Sequence, residues 1–211
     1  MGELTRIVLV RHAEAVVNVT RVVGGPRGDT GLTAQGVAQA KRLRDRLARS
    51  QEFGCDVVLS SSLPRARQTA EIALGDLGAG LVLDDALQEL QVGEADGMTF
   101  GDAIARWGVP DLLGRPDEVF CPGAESFNAF QRRVRAALSR IAAAHAGRAV
   151  MAFTHGGVID LSFAAFFDLP EARAGAVEFS TRHTSLTMWV RREPAGRWRL
   201  ERYNDAAHLA E

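Results

Sequence analysis

Short apolar runs alternate with amphipathic stretches along the chain, and this alternation is typical of an α/β protein. The run at 7–10 is apolar at every position and rich in β-branched residues, which indicates a fully buried central strand. Runs of the same kind predict further strands at 55–60, 81–84, 148–153, 185–190 and 198–203. The last two are joined by residues 193–196, which have the composition of a hairpin connection.

Apolar residues spaced three and four positions apart predict helices between these strands. One begins after Thr33, a predicted N-cap, and continues to about Ser50; another begins at Pro64. A long amphipathic helix is expected at 125–146 and an apolar one at 158–167. Helices therefore separate most of the strands.

Two stretches lack a regular period. Residues 15–31 are rich in glycine and leave directly from the first strand, so we favour a functional loop over a solvated excursion, with Asn18 and Arg21 reaching back. Residues 87–123 combine glycines with aromatic residues, which suits a lid or specificity insertion around 90–124; an irregular connection is the alternative. An apolar contribution to a pocket is expected from Phe100, Trp107 and Phe120.

Composition and charge narrow the classes of partner. With 211 residues, 46% of them hydrophobic and 24% charged, the chain can bury one large core, and we expect a single domain over 1–211. A net charge of −1 provides no basic field for nucleic acid or anionic lipid. The basic face of the helix after Thr33 is therefore interpreted as solvated, and the partners implied are small molecules.

Cysteine usage and segment lengths predict the compartment. Cys55 and Cys121 are far apart and form no CxxC pair, so buried thiols of a reducing cytoplasm are expected. No segment has the pattern of a secretory signal or an apolar run long enough to span a bilayer. We expect a soluble, cytoplasmic protein without a membrane partner. The oligomeric state stays open, with a homodimer as one alternative.

Charged and titratable residues follow three predicted strands, where open α/β proteins bind their ligands. Arg11 and His12 follow the first strand, Arg65 lies in the first turn of the helix after the second, and His155 follows a later one. Arginine offers a planar donor fork for phosphate, and histidine changes charge near pH 7. This pattern indicates an oxyanion site beside a nucleophile or proton carrier. For an isolated Arg-His pair, a strand ending in solvent is the alternative.

These residues belong to a series of motifs that resembles the histidine phosphatase superfamily, the phosphoglycerate-mutase-like proteins. The signature segment is Arg11-His12-Ala13-Glu14, with Asn18 at its expected offset. The other matching positions, in the family's order, are Asp29, 32–36, 61–70, 87–89 followed by Gly93 and Gly97, 122–126, and 154–157. The ordered series extends from residue 7 to 157, so it is far more specific than the first signature alone.

The resemblance implies a three-layer sandwich, in which helices flank a mostly parallel central sheet, and a covalent phosphohistidine. His12 would be the nucleophile, and Glu89 would be the acid that protonates the leaving oxygen. The phosphate-binding candidates carried over from the family are Arg11, Arg65, His155 and Asn18, with Arg21 and Gly156 as further candidates. The resemblance implies no metal and no cofactor.

Phosphoryl-transfer chemistry sets requirements on these residues. Charge spreads over the equatorial oxygens in the transition state, where Arg11, Arg65 and a protonated His155 would stabilise it without a metal. An attacking His12 needs one unprotonated nitrogen, and we expect an acceptor such as a backbone carbonyl to hold the other. Glu89 must carry a proton at first and then act as base towards the water that cleaves phosphohistidine.

A few positions depart from the family pattern. Ala13 replaces a frequent glycine and Ala15 a frequent serine or threonine, so a hydroxyl contact near the phosphate is not expected. Arg21 lies three residues after Asn18, one residue closer than its counterpart in mutases. Glu14 belongs to the signature but carries no assigned catalytic role, and orienting the neighbouring arginine is its expected one.

Several functions compete for these residues. The first is a phosphomonoesterase acting on a small metabolite, the second a cofactor-dependent phosphoglycerate mutase, and the third a non-catalytic phosphate-binding module. A mutase needs cations for the substrate carboxylate, but 90–121 offers Arg106 and Arg115 against six acidic residues. A non-catalytic module has no need of a nucleophile and an acid together. A zinc hydrolase is disfavoured because His183 and His208 lack metal-ligand spacing; we expect them at a strand edge and near the surface.

Overall fold

Six strands form one mixed sheet at the centre of the protein. The computed structural model describes residues 3–50, 53–75, 80–170, 179–194 and 196–210. The strands are β1 (Leu4–Arg11), β2 (Val57–Ser60), β3 (Val82–Leu83), β4 (Ala149–Thr154), β5 (Leu186–Arg192) and β6 (Arg199–Asp205). Their order across the sheet is β3-β2-β4-β1-β5-β6, so β1 lies between two neighbours.

The strand directions determine where the strand ends meet. β3, β2, β4 and β1 pair in parallel, whereas β5 pairs antiparallel with β1 and β6 antiparallel with β5. The expected mostly parallel sheet is confirmed, with an antiparallel hairpin at one edge. Arg11 lies opposite Thr154, and Ser60 opposite Phe153. The residues that follow these strands therefore gather at one edge of the sheet.

Helices cover both faces of the sheet and complete the expected three layers. They are α1 (Val16–Thr20), α2 (Ala34–Arg49), α3 (Pro64–Leu74), α4 (Phe100–Trp107), α5 (Phe127–Ala144) and α6 (Gly156–Phe166). Because side chains alternate along a strand, β1 contributes to two cores. Ile7 and Leu9 pack with residues of α5 and α6, whereas Val8 and Val10 pack with residues of α2 and α3.

The helix starts follow the predicted caps. The Thr33 hydroxyl accepts a hydrogen bond from the Gly36 N–H at 2.9 Å, which confirms the predicted N-cap of α2. Ser126 caps α5 in the same way, accepting from Ala129 N–H. Pro64 occupies the first turn of α3, where its missing N–H costs no hydrogen bond.

Two predictions about irregular segments are wrong in part. The 15–31 segment contains α1, whose start is stabilised by the Asn18 side chain accepting from Ala15 N–H at 3.0 Å. The 87–123 stretch contains α4, which the Thr99 hydroxyl caps by accepting from Asp102 N–H. α1 has only five residues, too few for a hydrophobic period to emerge, whereas α4 carries apolar residues at helical spacing, Phe100, Ala103, Ile104 and Trp107, that the surrounding glycines obscured.

The C-terminal strands pair as an antiparallel hairpin, as predicted, although Ala195 of their connection lies outside the described residues. Both cysteines, Cys55 and Cys121, have free thiols. Within the described ranges, none of the helices combines the length and apolar character that crossing a membrane requires.

Candidate functional site

A cavity of about 520 Å³ opens where the parallel strands end. Its titratable lining residues are Arg11, His12, Arg21, Arg65 and Glu89. Asn18, Gly24 and Gly157 also line it. The remaining lining residues are apolar: Val17, Val22, Val23, Leu90, Val92, Phe100, Leu112, Phe127 and Phe130. Most of the sequence-predicted groups therefore share one cavity whose walls are largely hydrocarbon, whereas His155 and Gly156 are not among its lining residues.

His12 follows the end of β1 and is almost fully buried, at 3% exposure. Its Nδ1 lies 2.7 Å from the Ala13 carbonyl, which confirms the expected backbone acceptor. Because a carbonyl only accepts, Nδ1 carries the proton, and Nε2 is left with the lone pair. Burial, together with the charges of Arg65 and Arg11, lowers the pKa of His12 well below its ordinary value. The ring is therefore neutral, with Nε2 as its nucleophilic atom.

Arg65 approaches that nucleophilic nitrogen from the first turn of α3. Its Nε–H donates to His12 Nε2 at 3.2 Å. The buried carboxylate of Asp29 holds the guanidinium, with 2.9 Å between Arg65 Nη1 and Asp29 Oδ2, and accepts a second bond from Arg65 N–H. Nη1 also donates to the Gly24 carbonyl. Asp29 and the Gly24 carbonyl thus fix the Nη1 end of the guanidinium, and the Nε–H points at the ring of His12.

Arg11 lies at the last position of β1, next to His12. Its Nη1 donates to the carbonyl of Thr181, just before the C-terminal hairpin. Its buried Nε has no hydrogen-bond partner within the described ranges, and a Cβ placed on Gly156 would lie 3.6 Å from this atom. Burial lowers the pKa of Arg11, and the Glu89 carboxylate opposes that shift. Arg11 Nε therefore lies next to Gly156, and its N–H is a hydrogen-bond donor that no described residue uses.

His155 is fully buried beside His12, with 5.2 Å between their ring centroids. Its Nε2 lies 2.8 Å from the Ser61 hydroxyl, and its Nδ1 has no partner among the described residues. Burial and the positive charges of Arg65 and Arg11 lower the pKa of His155 well below its ordinary value. The free site therefore favours a neutral ring, and the expected protonation of His155 beside a phosphoryl group stays a prediction.

Glu89 is held at the start of α6. Its Oε2 accepts from Gly157 N–H at 3.0 Å and its Oε1 from Leu90 N–H at 3.1 Å. A Cβ at position 157 would lie 2.2 Å from Glu89 Oε1 and 3.0 Å from the Phe130 ring. Only glycine permits this close approach of carboxyl group to helix backbone.

An ion pair behind the cavity holds the backbone of the Glu89 segment. Arg133 of α5 pairs bidentately with Glu125, with N–O distances of 2.9 and 2.6 Å. The same guanidinium donates to the carbonyls of Ala86, Gln88 and Glu89 at 2.9 to 3.1 Å. Sequence reasoning missed this role of Arg133 and Glu125. Glu125 lies in a family motif, but nothing local indicates that its partner binds a segment some 45 residues earlier.

Of the other residues predicted from the signature and the loop after it, two line the cavity and Glu14 does not. Asn18 and Arg21 both line the cavity, and Asn18 uses its Oδ1 for the α1 cap. Glu14 accepts a hydrogen bond from the Thr33 hydroxyl at 2.7 Å, so the expectation that it orients Arg11 is not supported by this contact.

His183, which sequence reasoning placed at a strand edge, lies beside the buried ring of His12. Its ring centroid lies 5.6 Å from that of His12, and its Nδ1 lies 3.2 Å from the His12 carbonyl. It precedes β5, the antiparallel neighbour of β1. The sequence contained a signal for this position. If the strand after His183 pairs antiparallel with β1, the residues before that strand lie at the carboxyl end of β1, next to His12.

The remaining aromatic and metal-ligand candidates lie apart from this cluster. Phe100 lines the cavity as expected, but Trp107 and Phe120 pack edge to face against each other instead. His208 lies 2.9 Å from the Thr184 hydroxyl, through its Nε2. Among the described residues, no three His, Cys, Asp or Glu side chains are grouped so as to hold a metal ion.

Comparisons with known proteins agree with this geometry. A family model described as the histidine phosphatase superfamily (branch 1) matches residues 7–206. The chain is 31% identical over 213 residues to phosphoglycerate mutase-like protein 4 of Arabidopsis thaliana, covering 99% of this chain and 89% of the relative.

Solved structures extend the comparison to phosphatases. YhfR of Bacillus stearothermophilus superposes with a TM-score of 0.80 at 27% identity, covering 98% of this chain and 100% of that one. A mycobacterial glucosyl-3-phosphoglycerate phosphatase, solved with VO3, gives a TM-score of 0.76 at 27% identity, covering 94% and 98%. The ordered motifs, the sheet and the family match together show that the chain belongs to the histidine phosphatase superfamily, branch 1.

Proposed function

We propose that the protein hydrolyses a small-molecule phosphomonoester, without a metal, through a phosphohistidine on His12. The observation that carries the proposal is the geometry of His12, whose Nδ1 is held by the Ala13 carbonyl and whose Nε2 lies 3.2 Å from the fixed guanidinium of Arg65. Burial and the nearby arginines also lower the pKa of the ring. A neutral ring is the nucleophilic form, and a guanidinium beside it binds the phosphoryl oxygens that the reaction presents.

In the first step, His12 Nε2 attacks phosphorus and the bond to the leaving oxygen breaks. The Arg65 Nε–H moves from His12 to a phosphoryl oxygen, and the unpartnered Arg11 Nε offers a second donor. His155 Nδ1 supplies a third; a phosphate dianion favours its protonated form, which the free site disfavours. The leaving oxygen takes the bonding electrons together with a proton from Glu89.

In the second step, water attacks the phosphohistidine. Glu89, now a carboxylate, takes a proton from the water as its oxygen bonds to phosphorus. The phosphorus–nitrogen bond breaks, its electrons return to Nε2, and inorganic phosphate leaves. The hydrogen bond from Nδ1–H to the Ala13 carbonyl keeps the same tautomer throughout.

The mutase alternative receives less support from the cavity. Arg106 and Arg115, the cations of the 90–121 stretch, pair with Glu94 and with Asp111 and Glu118, and none of these residues lines the cavity. We further propose one domain over 1–211, in which 90–124 forms the specificity wall, acting on a phosphorylated metabolite in the cytoplasm.

The test is hydrolysis of p-nitrophenyl phosphate in the presence of a chelator, with His12→Ala and His145→Ala compared. His145 lies at the C-terminal end of α5 and serves as the matched histidine control. We expect turnover in the wild type and in His145→Ala, loss of turnover in His12→Ala, and a phosphorylated wild-type protein in rapid-quench mass spectrometry at neutral pH. Full activity in His12→Ala would overturn the mechanism.

A further inference from the structure

The cavity also carries information about the leaving group. Resting on the proposed function, we infer that the substrate is a phosphomonoester whose leaving group is a hydrocarbon chain or ring, bound by the apolar part of the cavity. A hydrocarbon leaving group needs apolar side chains around it, whereas phosphorylated sugars, polyols and carboxylic acids need hydrogen-bonding or cationic side chains.

Three separate elements supply the apolar wall. The segment around α1 contributes Val17, Val22 and Val23; α5 contributes Phe127 and Phe130. The third is the 90–124 segment, which contributes Leu90, Val92, Phe100 and Leu112. Val17, Val23 and Phe130 are at most 7% exposed, so they form a fixed floor. Phe100 is 54% exposed, so an apolar ligand would remove its ring from water.

The walls are tied together by backbone hydrogen bonds. Val23 N–H donates to the Met98 carbonyl at 2.8 Å, and Gly97 N–H donates to the Val23 carbonyl at 2.9 Å. Phe100 N–H donates to the Arg21 carbonyl at 3.1 Å. The two segments that carry most of the apolar wall are therefore joined to each other, and the cavity is preformed.

The charges of the lining argue against a polar leaving group. Arg11, Arg65 and Glu89 are assigned to the phosphoryl group and the leaving oxygen. Among the other described lining residues, Arg21 is the one with a charge, and it is exposed to solvent. Asn18 is the remaining polar side chain, and its Oδ1 already serves as a cap, which leaves its Nδ2 as the one further neutral side-chain donor among the described lining residues. A polyol would leave most of its hydroxyls without partners here, and buried unpaired hydroxyls are unfavourable.

A homologous series of n-alkyl phosphates, from ethyl to hexyl, tests this inference. Every member has the same primary alkoxide leaving group, so differences in kcat/KM report contacts of the chain. Burial of each methylene corresponds to about 0.8 kcal/mol, or roughly fourfold. We expect kcat/KM to rise by about threefold to fourfold per methylene and to exceed the value for 3-phosphoglycerate.

A pair of variants locates the contact. Phe100→Ser removes an aromatic ring from the cavity, whereas Leu113→Ser removes an equally exposed apolar side chain, 54% exposed, that does not line it. We expect Phe100→Ser to flatten the increase with chain length by at least half and Leu113→Ser to keep the wild-type slope. Equal slopes in both variants would contradict the inference.

Binding of non-hydrolysable n-alkylphosphonates, measured by calorimetry, separates this inference from the proposed function. If affinity rises with chain length but no ester is hydrolysed, the proposed hydrolysis is wrong and the apolar subsite stands. If p-nitrophenyl phosphate is hydrolysed but both series are flat, hydrolysis stands and the inference is overturned. Preference for 3-phosphoglycerate, lost in Arg21→Gln, would also overturn it and would assign Arg21 to a carboxylate.

Discussion

The two ends of the cavity, which the proposed function assigns to the phosphate and to the leaving group, are built in different ways. The phosphate end is defined by Arg11, His12, Arg65 and His155. These residues lie at strand ends or in the first turn of a helix, and the two histidine rings are nearly inaccessible to water. The leaving-group end, defined by Glu89 and the apolar wall, lies largely on irregular segments joined to one another. The first arrangement favours one fixed chemistry, and the second permits changes in substrate without disturbing that chemistry.

Each end also has its own ion pair. Arg65 and Asp29 pair within the phosphate end, with side chains 6% and 0% exposed. Arg133 and Glu125 pair behind the leaving-group end and act on backbone carbonyls rather than on the reacting groups. The comparison predicts that the first pair matters for folding and the second for the position of the acid.

Glu89→Gln should give the largest effect and separate the two ends most clearly. Alkyl phosphates need a proton on the leaving oxygen, so their kcat/KM should fall by roughly 100- to 1000-fold. The rate for p-nitrophenyl phosphate should fall by less than about tenfold, since its leaving group needs little protonation. Glu94→Gln, a change at an exposed residue, is the control. Equal losses for both substrates would argue against an acid at this position.

Asp29→Asn should act mainly on stability, because it leaves the buried Arg65 without its counter-charge. We expect the free energy of unfolding to fall by about 3 kcal/mol in urea titrations. Asp111→Asn removes one partner of an exposed pair, with side chains 58% and 49% exposed, and should change it by less than about 0.5 kcal/mol. Similar losses in the two variants would show that burial does not distinguish these pairs.

The pH dependence of stability should report the histidines that are neutral in the folded protein. Folding lowers the pKa of His12, His155, His183 and His208, so the unfolded chain binds protons first. Their contribution is complete above about pH 6.5 and is lost as the pH falls below that value. The free energy of unfolding should be higher at pH 7.5 than at pH 5.5 by at least about 2 kcal/mol, and His155→Asn should reduce this difference by roughly a quarter. An unchanged difference in that variant would contradict the burial of a neutral ring.

Glu125→Gln should give the smallest effect, confined to the leaving-group end. Weakening the Arg133 pair loosens the Glu89 segment, so kcat/KM for alkyl phosphates should fall by about tenfold. The rate for p-nitrophenyl phosphate should stay within about twofold. Asp168→Asn breaks the exposed pair with Arg135 and serves as control. A uniform loss for all esters would indicate a general structural role instead.

The same contrast explains which parts could be predicted from the sequence. His12, Arg65 and His155 follow short apolar runs or a proline-marked helix start, so local pattern and family motifs locate them together. The hydrogen bonds from Arg133 to the backbone of the Glu89 segment join positions about 45 residues apart, and no hydrophobic or polar period in the sequence predicts such a contact. The preference of His155 for the neutral form in the free site could not be predicted, because it depends on burial and on two arginines that only the folded chain brings near.

The sheet order also constrains how the chain acquires activity during synthesis. β1 is synthesised before the other strands of the sheet, yet its neighbours are β4 and β5, the fourth and fifth strands in chain order. A nascent chain ending before residue 186 would leave one edge of β1 unpaired, without the Thr181 carbonyl fully positioned for Arg11. Until the C-terminal hairpin is translated, this edge of β1 lacks its pairing partner and offers free N–H and C=O groups to another strand.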